Sequence, residues 1–287
     1  MSHVPEPVPG RGEVLVKVEA FSVNRGETFL LEPEPPYPAP AGWRPGKDIA
    51  GLVVQGAGTG SRVVAHPPAG GWAEYAAVPV GRVAALPDGI DPVTAAALPL
   101  AGLTALRLLR AAGRVAGKRL LITGASGGVG HYFTELATGA GAVVTAVSSR
   151  GERLASLGAT VVDSVPPGPF DVVLESVGGP VFAAALAALV PGGQLIWFGQ
   201  ASREPVTISF FALNTGATGA TIKHFAYDHP PYDTDLATLV DLVRDGKLHP
   251  EIGYQADWSL AGKAIEALRS RRVTGNVVLE VLLGRVG

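Results

Sequence analysis

One junction constrains this chain more than any other. The apolar strand Leu120-Leu121-Ile122-Thr123 runs straight into Gly124-Ala125-Ser126-Gly127-Gly128-Val129-Gly130, and a helical pattern begins near His131. Four glycines in those seven residues carry a chain-entropy cost that a simple tight turn does not require. Strand, glycine turn and helix in this order form the context in which a G-x-G-x-x-G pattern gains meaning. Ala125 stands at the first glycine position, and Gly127 and Gly130 match the second and third. At Gly127 the backbone can approach a diphosphate, and at Gly130 helix and strand can pack closely. The anion then sits on free N–H groups at the positive end of the helix dipole. The expected ligand is a nicotinamide dinucleotide held by Ser126, Gly127, Gly128 and Val129.

The next strand indicates which dinucleotide. A site for NAD places a carboxylate about twenty residues on, where it binds the ribose 2′-hydroxyl. Here that strand ends Val147-Ser148-Ser149-Arg150-Gly151-Glu152-Arg153. Hydroxyl and guanidinium groups stand where a carboxylate would repel a 2′-phosphate, and Glu152 offsets only part of their charge. An Arg–phosphate contact contributes roughly 1.5–3 kcal/mol. NADPH is therefore the expected cofactor, with Ser148, Ser149, Arg150 and Arg153 at its adenosine ribose.

Around this motif the chain changes rhythm. Residues 13–90 carry short period-2 runs at Glu13–Val18, Ile49–Val54, Arg62–Ala65 and Trp72–Val80, separated by turn signals such as Pro87-Asp88-Gly89. They predict a compact β-rich unit, with the proline-rich segment 32–45 as an irregular loop. Helices are expected at Val93–Leu98 and Leu103–Ala112. Strands and helices then alternate through Leu120–Thr123, Val129–Thr138, Val143–Val147, Glu152–Leu157, Thr160–Val162, Val172–Glu175, Val181–Leu189 and Leu195–Phe198. That alternation predicts a parallel sheet covered by helices on both faces. Helices at Asp235–Arg244 and Ser259–Leu268 and a strand at Asn276–Leu282 follow.

Composition narrows the function classes. Charged residues make up 17% of the 287-residue chain and the net charge is −2, so nothing draws it to nucleic acid or an anionic membrane. The basic residues are scattered apart from Arg269-Ser270-Arg271-Arg272. The chain has no cysteine, which removes disulfides, thiolate nucleophiles and cysteine-ligated metals. His66, His131, His224 and His229 do not have the spacing of a metal tetrad, so no metal is expected. The longest clean apolar run, Val181–Val190, falls far short of the about twenty residues a membrane span needs, and the N-terminus lacks the features of a signal peptide. A soluble, cytoplasmic protein is expected.

The position of the glycine turn, well inside the chain, and the absence of a Tyr-x-x-x-Lys pair argue against a short-chain dehydrogenase. The chain instead resembles the medium-chain dehydrogenase/reductase superfamily, in its zinc-independent, zeta-crystallin-like quinone oxidoreductase branch. The resemblance rests on Gly10-x-Gly12-Glu13-Val14-Leu15-Val16-Lys17-Val18, Ser22-Val23-Asn24-Arg25-Gly26-Glu27 and Gly46-Lys47-Asp48-Ile49-Ala50-Gly51-Leu52-Val53. It extends to Leu98-Pro99-Leu100-Ala101-Gly102-Leu103-Thr104-Ala105 and Thr274-Gly275-Asn276-Val277-Val278-Leu279. It implies an α/β fold in which a GroES-like β-rich catalytic domain (1–95 and 227–287) carries an inserted Rossmann domain with a doubly wound parallel sheet (96–226).

By the same resemblance, Asn24 and Thr104 approach the nicotinamide end, Val177, Gly178, Phe198 and Gly199 line its channel, and Asn276 touches the cofactor. The implied reaction is hydride transfer to a small-molecule quinone or α,β-unsaturated carbonyl, in which the protein places donor and acceptor and stabilises the developing enolate. The alternatives are an enoyl-thioester reductase and a non-catalytic NADP(H)-binding sensor or structural protein. Two departures stand out: Phe29 replaces a tyrosine found in several quinone reductases, and Glu27 replaces aspartate. Neither Tyr37 nor Lys223 gains a catalytic role from spacing, so the catalytic acid is unassigned. Relatives commonly form homodimers through the Rossmann sheet edge. Residues Thr218–Ala226 suit that purpose, and suit an ordinary sixth strand equally well.

Overall fold

Valine-rich alternation makes the first strand, and the residues after it turn into a short helix. The computed structural model describes residues 2–36, 38–214 and 217–281. In chain order it contains β1 (Glu13–Ser22), α1 (Arg25–Leu30), β2 (Ile49–Gln55), β3 (Arg62–Ala65), β4 (Tyr75–Pro79), β5 (Val83–Ala85), α2 (Pro92–Ala96) and α3 (Pro99–Ala112). The alternating part follows as β6 (Arg119–Ile122), α4 (Gly128–Gly139), β7 (Val143–Val147), α5 (Glu152–Ser156), β8 (Thr160–Val162), β9 (Phe170–Glu175), α6 (Gly179–Ala187), β10 (Leu189–Trp197) and β11 (Thr221–His224). The chain closes with α7 (Asp233–Arg244), β12 (Ile252–Asp257), α8 (Ala261–Arg269) and β13 (Asn276–Glu280). Leu282, the expected end of the last strand, and Tyr37 lie outside the described residues.

Two compact units emerge. One takes the chain up to Leu103 and from His229 onward; the other spans Thr104–Asp228. In the first, a seven-stranded sheet runs β12-β13-β1-β2-β3-β5, with β4 also paired to β1. β4 joins β1 over Glu13–Lys17 and β13 joins it over Ala20–Ser22, so both ends of the chain share one strand. Its core is built from the inward faces of these strands, including Val16, Val18, Phe21, Ile49, Val78 and Leu279, all nearly inaccessible. Asp91 caps α2 by accepting the Thr94 amide at 2.9 Å, with Pro92 at the first helical position, as an N-cap followed by proline dictates.

The second unit is a six-stranded sheet, β11-β10-β9-β6-β7-β8, in which every neighbouring pair is parallel. Numbered from β6, this is the doubly wound order 3-2-1-4-5-6, whose strand order reverses between β6 and β9; ligands of such sheets bind at that switch point. The central strands are buried on both faces: Leu120, Leu121, Ile122, Val173 and Leu174 have no measurable exposure. The stretch Thr218–Ala226 does supply the sixth strand, β11, and all four residues of that strand are exposed at the sheet edge.

Several elements differ from the periodicity. The helix α1, only six residues long, is too short to show a 3.6-residue pattern. β5 and β12 also fall outside the expected strands: β5 has only 3 residues, and β12 alternates half-buried with exposed residues but buries none of them, which leaves a weak apolar signal. β10 begins at Leu189, the residue that the periodicity assigns to the end of a helix, because Pro191-Gly192-Gly193 bends into extended backbone. Among the described residues, 31–48 form no helix or strand, as the prolines require.

Candidate nucleotide and reaction site

The glycine turn has the geometry that a diphosphate needs. Gly124 takes φ +63°, and a Cβ there would lie 2.8 Å from Ser176 Oγ. Gly127 is exposed and precedes α4 in extended conformation. The first helical bond back to it comes from the His131 amide, at 3.2 Å, so the amides of Gly128, Val129 and Gly130 belong to the first turn and have no acceptor within the helix. Gly130 is where the helix meets the glycine turn that leads into it: a Cβ would stand 2.3 Å from the carbonyl oxygen of Ala125. Ala125 is itself buried, and its amide donates to Val147 O at 3.3 Å, which ties the turn to the end of β7.

At that strand end, Ser148 is buried and spends its hydroxyl on the turn, accepting from the Arg150 amide at 3.0 Å and donating to the Arg150 carbonyl at 2.9 Å. Ser149 and Arg150 are exposed, and Arg153 is half-buried. Ser148 thus shapes the loop that presents Ser149, Arg150 and Arg153. Nearby, His131 is fully buried, with Nδ1 3.3 Å from Gly127 O and its ring 4.0 Å from that of Tyr132. Burial, reinforced by the Arg153 charge, pushes its pKa down to about 4, so the ring is neutral beside the turn.

The switch point contains a residue that periodicity reads only as the end of a strand. Glu175 is buried at the end of β9. Its Oε1 accepts Thr123 Oγ1 at 3.0 Å, the Val177 amide at 2.8 Å and the Gly178 amide at 3.1 Å. Burial raises its pKa, and these bonds oppose the rise. Ser176 closes the same junction, donating its amide to Thr123 Oγ1 at 3.0 Å and its hydroxyl to Thr123 O at 3.1 Å. The strand-end residues Val177, Gly178, Phe198 and Gly199 meet here: Phe198 N donates to Glu175 O, Ser202 N to Val177 O, and a Cβ on Gly199 would meet Ser176 at 3.2 Å. A carboxylate three residues before a Gly-Gly pair was the available signal for Glu175.

The remaining site residues are spread differently. Thr104 is buried in α3, just inside the parallel-sheet unit. Asn24 and Asn276 belong to the β-rich unit. Asn276 is buried and donates from Nδ2 to Glu251 O at 3.2 Å, which holds the start of β13 beside β12. Asn24 stands at the N-cap of α1, where the turn-former role of asparagine is visible: its amide donates to Glu27 Oε2 at 3.3 Å. Its carboxamide faces two buried acids, with Nδ2 2.6 Å from Asp48 Oδ2 and 3.3 Å from Glu27 Oε2. Burial, with Asp48 as a neighbouring charge, pushes the Glu27 pKa up to about 7 despite the bond it accepts from Gly46 N. The basic run Arg269–Arg272 is structural in part: Arg269 donates to Thr28 O at 2.6 Å and Arg25 to Leu268 O at 2.8 Å, bracing α1 against α8.

These residues fit a phosphorylated dinucleotide: an open glycine cradle, first-turn amides and a cationic loop beside them. They do not fit a zinc ion. The chain lacks cysteine, and among the described residues no cluster of three His, Asp or Glu side chains could hold a metal. The acid and imidazole that do meet, Asp48 and His66, face each other at 3.2 Å.

Comparison with known proteins agrees with this geometry. The alcohol dehydrogenase GroES-like domain matches residues 10–88, and the zinc-binding dehydrogenase domain matches residues 138–279. The chloroplast envelope quinone oxidoreductase homolog of Arabidopsis thaliana is 31% identical, over 97% of this chain and 92% of its own. Prostaglandin reductase-3 of Bos taurus is 29% identical, over 96% and 83%. The quinone oxidoreductase of Thermus thermophilus, solved also in complex with NADPH, superposes with a TM-score of 0.81 at 30% identity, over 98% of this chain and 95% of its own.

Proposed function

The chain belongs to the medium-chain dehydrogenase/reductase superfamily, in its quinone oxidoreductase branch, and on that premise we propose that it reduces a quinone or an α,β-unsaturated carbonyl with NADPH. The observation that carries this reading is the pairing of an open glycine turn at the α4 N-terminus with Arg150 and Arg153 at the end of the adjacent strand β7. When bound, NADPH supplies a hydride to a ring carbon of a quinone or the β-carbon of an enone.

The chain's own residues bind and orient. Backbone amides of Ser126, Gly128 and Val129 take the diphosphate, and Gly127, whose own amide donates to Gly124 O, leaves room for its approach. Ser149, Arg150 and Arg153 take the 2′-phosphate, on the loop that Ser148 shapes. Val177, Gly178, Phe198 and Gly199 form the rim toward the nicotinamide, and Asn24, Thr104 and Asn276 belong to the reacting end. Relatives named for quinone and prostaglandin reduction support a small electron-poor acceptor as substrate.

Oxidation of NADPH followed by absorbance, with 1,2-naphthoquinone, a 2-alkenal and an enoyl thioester offered in turn, tests the proposal. Turnover of the quinone or the alkenal is expected. Turnover of the thioester alone would move the protein to thioester reduction, and tight NADPH binding without any turnover would make it a sensor. A homodimer joined through β11 is supported by that exposed edge and by the exposed Ile208, Phe210 and Phe211 in the preceding segment. A monomer mass by light scattering would remove it.

A further inference from the structure

Three donors and an imidazole nitrogen converge on one carboxylate in the β-rich unit. Asp48 is fully buried just before β2. Its Oδ2 accepts the Ser22 hydroxyl at 2.5 Å and Asn24 Nδ2 at 2.6 Å. Its Oδ1 accepts the Leu100 amide at 2.9 Å and lies 3.2 Å from His66 Nδ1. The partners come from the end of β1, the N-cap of α1, the residue after β3 and the first turn of α3.

We infer that Asp48 is a positioning residue that fixes which way the Asn24 carboxamide faces, an inference that rests on the placement of Asn24 at the reacting end. A carboxylate only accepts, whereas a carboxamide has a donor end and an acceptor end. Asn24 Nδ2 looks at three oxygens: Asp48 Oδ2, Ser22 Oγ at 3.1 Å and Glu27 Oε2 at 3.3 Å. Ser22 gives its own proton to Asp48 and so is an acceptor toward Asn24. Turning the carboxamide over would bring Asn24 Oδ1 to within hydrogen-bonding distance of a buried carboxylate oxygen, two acceptors with no proton between them. The amide is therefore held with Nδ2 toward the acids and Oδ1 turned from them toward the first turn of α1, where it completes the capping box and keeps a second lone pair for a ligand's N–H or O–H. Asp48 has no exposure and touches no ligand itself; it acts through Asn24.

A double-mutant cycle reads this directly. Asn24→Ala should lower kcat about tenfold or more. Asp48→Asn, which can donate to Asn24 Oδ1 and so admits the reversed amide, should lower kcat by a similar factor and change KM for NADPH less than twofold. In the Asn24→Ala background, Asp48→Asn should cost little more. Multiplicative losses, a KM for NADPH that rises in step with the fall in kcat, or full kcat in Asp48→Asn beside an impaired Asn24→Ala would each overturn the positioning role. Full kcat in Asn24→Ala would instead sink the placement of Asn24. If Asp48→Asn does not fold, side-chain amide exchange of the wild-type protein replaces it, with Asn24 assigned from Asn24→Ala. Slow exchange of the Asn24 Nδ2 protons is expected, and fast exchange overturns the inference.

Discussion

Thr123 Oγ1 donates to Glu175 Oε1 at 3.0 Å, a bond that ties the ends of β6 and β9 together where the strand order reverses. The same carboxylate holds the Val177 and Gly178 amides, so one buried acid sets the shape of the loop proposed to face the nicotinamide. Glu175→Ala leaves those buried donors without their acceptor, a loss of about 1–3 kcal/mol for each. Its melting temperature should fall and its KM for NADPH rise severalfold, while Glu175→Gln, which keeps an acceptor, retains most of both. Unchanged melting temperature and KM in Glu175→Ala would show that the bonds do not matter.

The two glycines of the α4 turn should separate stability from binding. A Cβ at Gly130 meets the Ala125 carbonyl at 2.3 Å, whereas one at Gly127 meets Gly124 O at 3.3 Å and is otherwise open. Gly130→Ala should destabilise by about 1–3 kcal/mol through overpacking. Gly127→Ala should fold nearly as well as wild type but lose NADPH affinity, because the methyl group stands where the diphosphate approaches. Calorimetric melting with and without NADPH distinguishes them, and intact affinity in Gly127→Ala would move the diphosphate elsewhere.

Arg150 and Arg153 carry the cofactor choice. Replacing both by alanine should raise KM for NADPH about ten- to a hundredfold, from a phosphate contact of roughly 1.5–3 kcal/mol, and leave KM for NADH unchanged. Steady-state kinetics with both cofactors measures it; parallel losses would refute the 2′-phosphate assignment.

Glu27 gives the stability a pH dependence. Its folded pKa is raised to about 7 from 4.5, so the folded state keeps a proton that the unfolded chain releases above pH 4.5. Stability contributed by the neutral acid is full below that value, declines as pH rises from 4.5 to 7, and levels off above. Between pH 5 and pH 8, wild type should lose on the order of 2–3 kcal/mol relative to Glu27→Gln. Denaturant unfolding at both pH values reads the gap, and a pH-independent difference would mean that Glu27 ionises at no cost.

The parallel-sheet unit was legible because both of its signals are local. Buried strands such as Phe170–Glu175 are bounded by turns, and Gly124 and Gly130 mark a positive φ and a close backbone contact that a larger residue does not meet. The β-rich unit was legible only in part. β5 has only 3 residues, too few to show a period, and β12 alternates half-buried with exposed residues but buries none of them, so its apolar signal is weak. The site followed the same division. Gly127 and Gly130 could be assigned from their spacing, but Asp48 could not, because its importance lies in Ser22, Asn24, His66 and Leu100, which come together only in the folded unit. Ser148 reads in the sequence as a ligand group, yet its hydroxyl serves the loop, since a buried serine next to a turn finds main-chain partners first.

The register of β13 on β1, from Ala20↔Glu280 to Ser22↔Val278, sets an order of events during synthesis. All six strands of the parallel sheet leave the ribosome before the partner that completes β1 has been translated, so the nucleotide-binding half can mature first while its companion waits for the last segment. Nascent chains stalled after α8 should therefore already protect Thr104–Asp228 from protease and leave Glu13–Ser22 cleavable; simultaneous protection of both would contradict that sequence of folding.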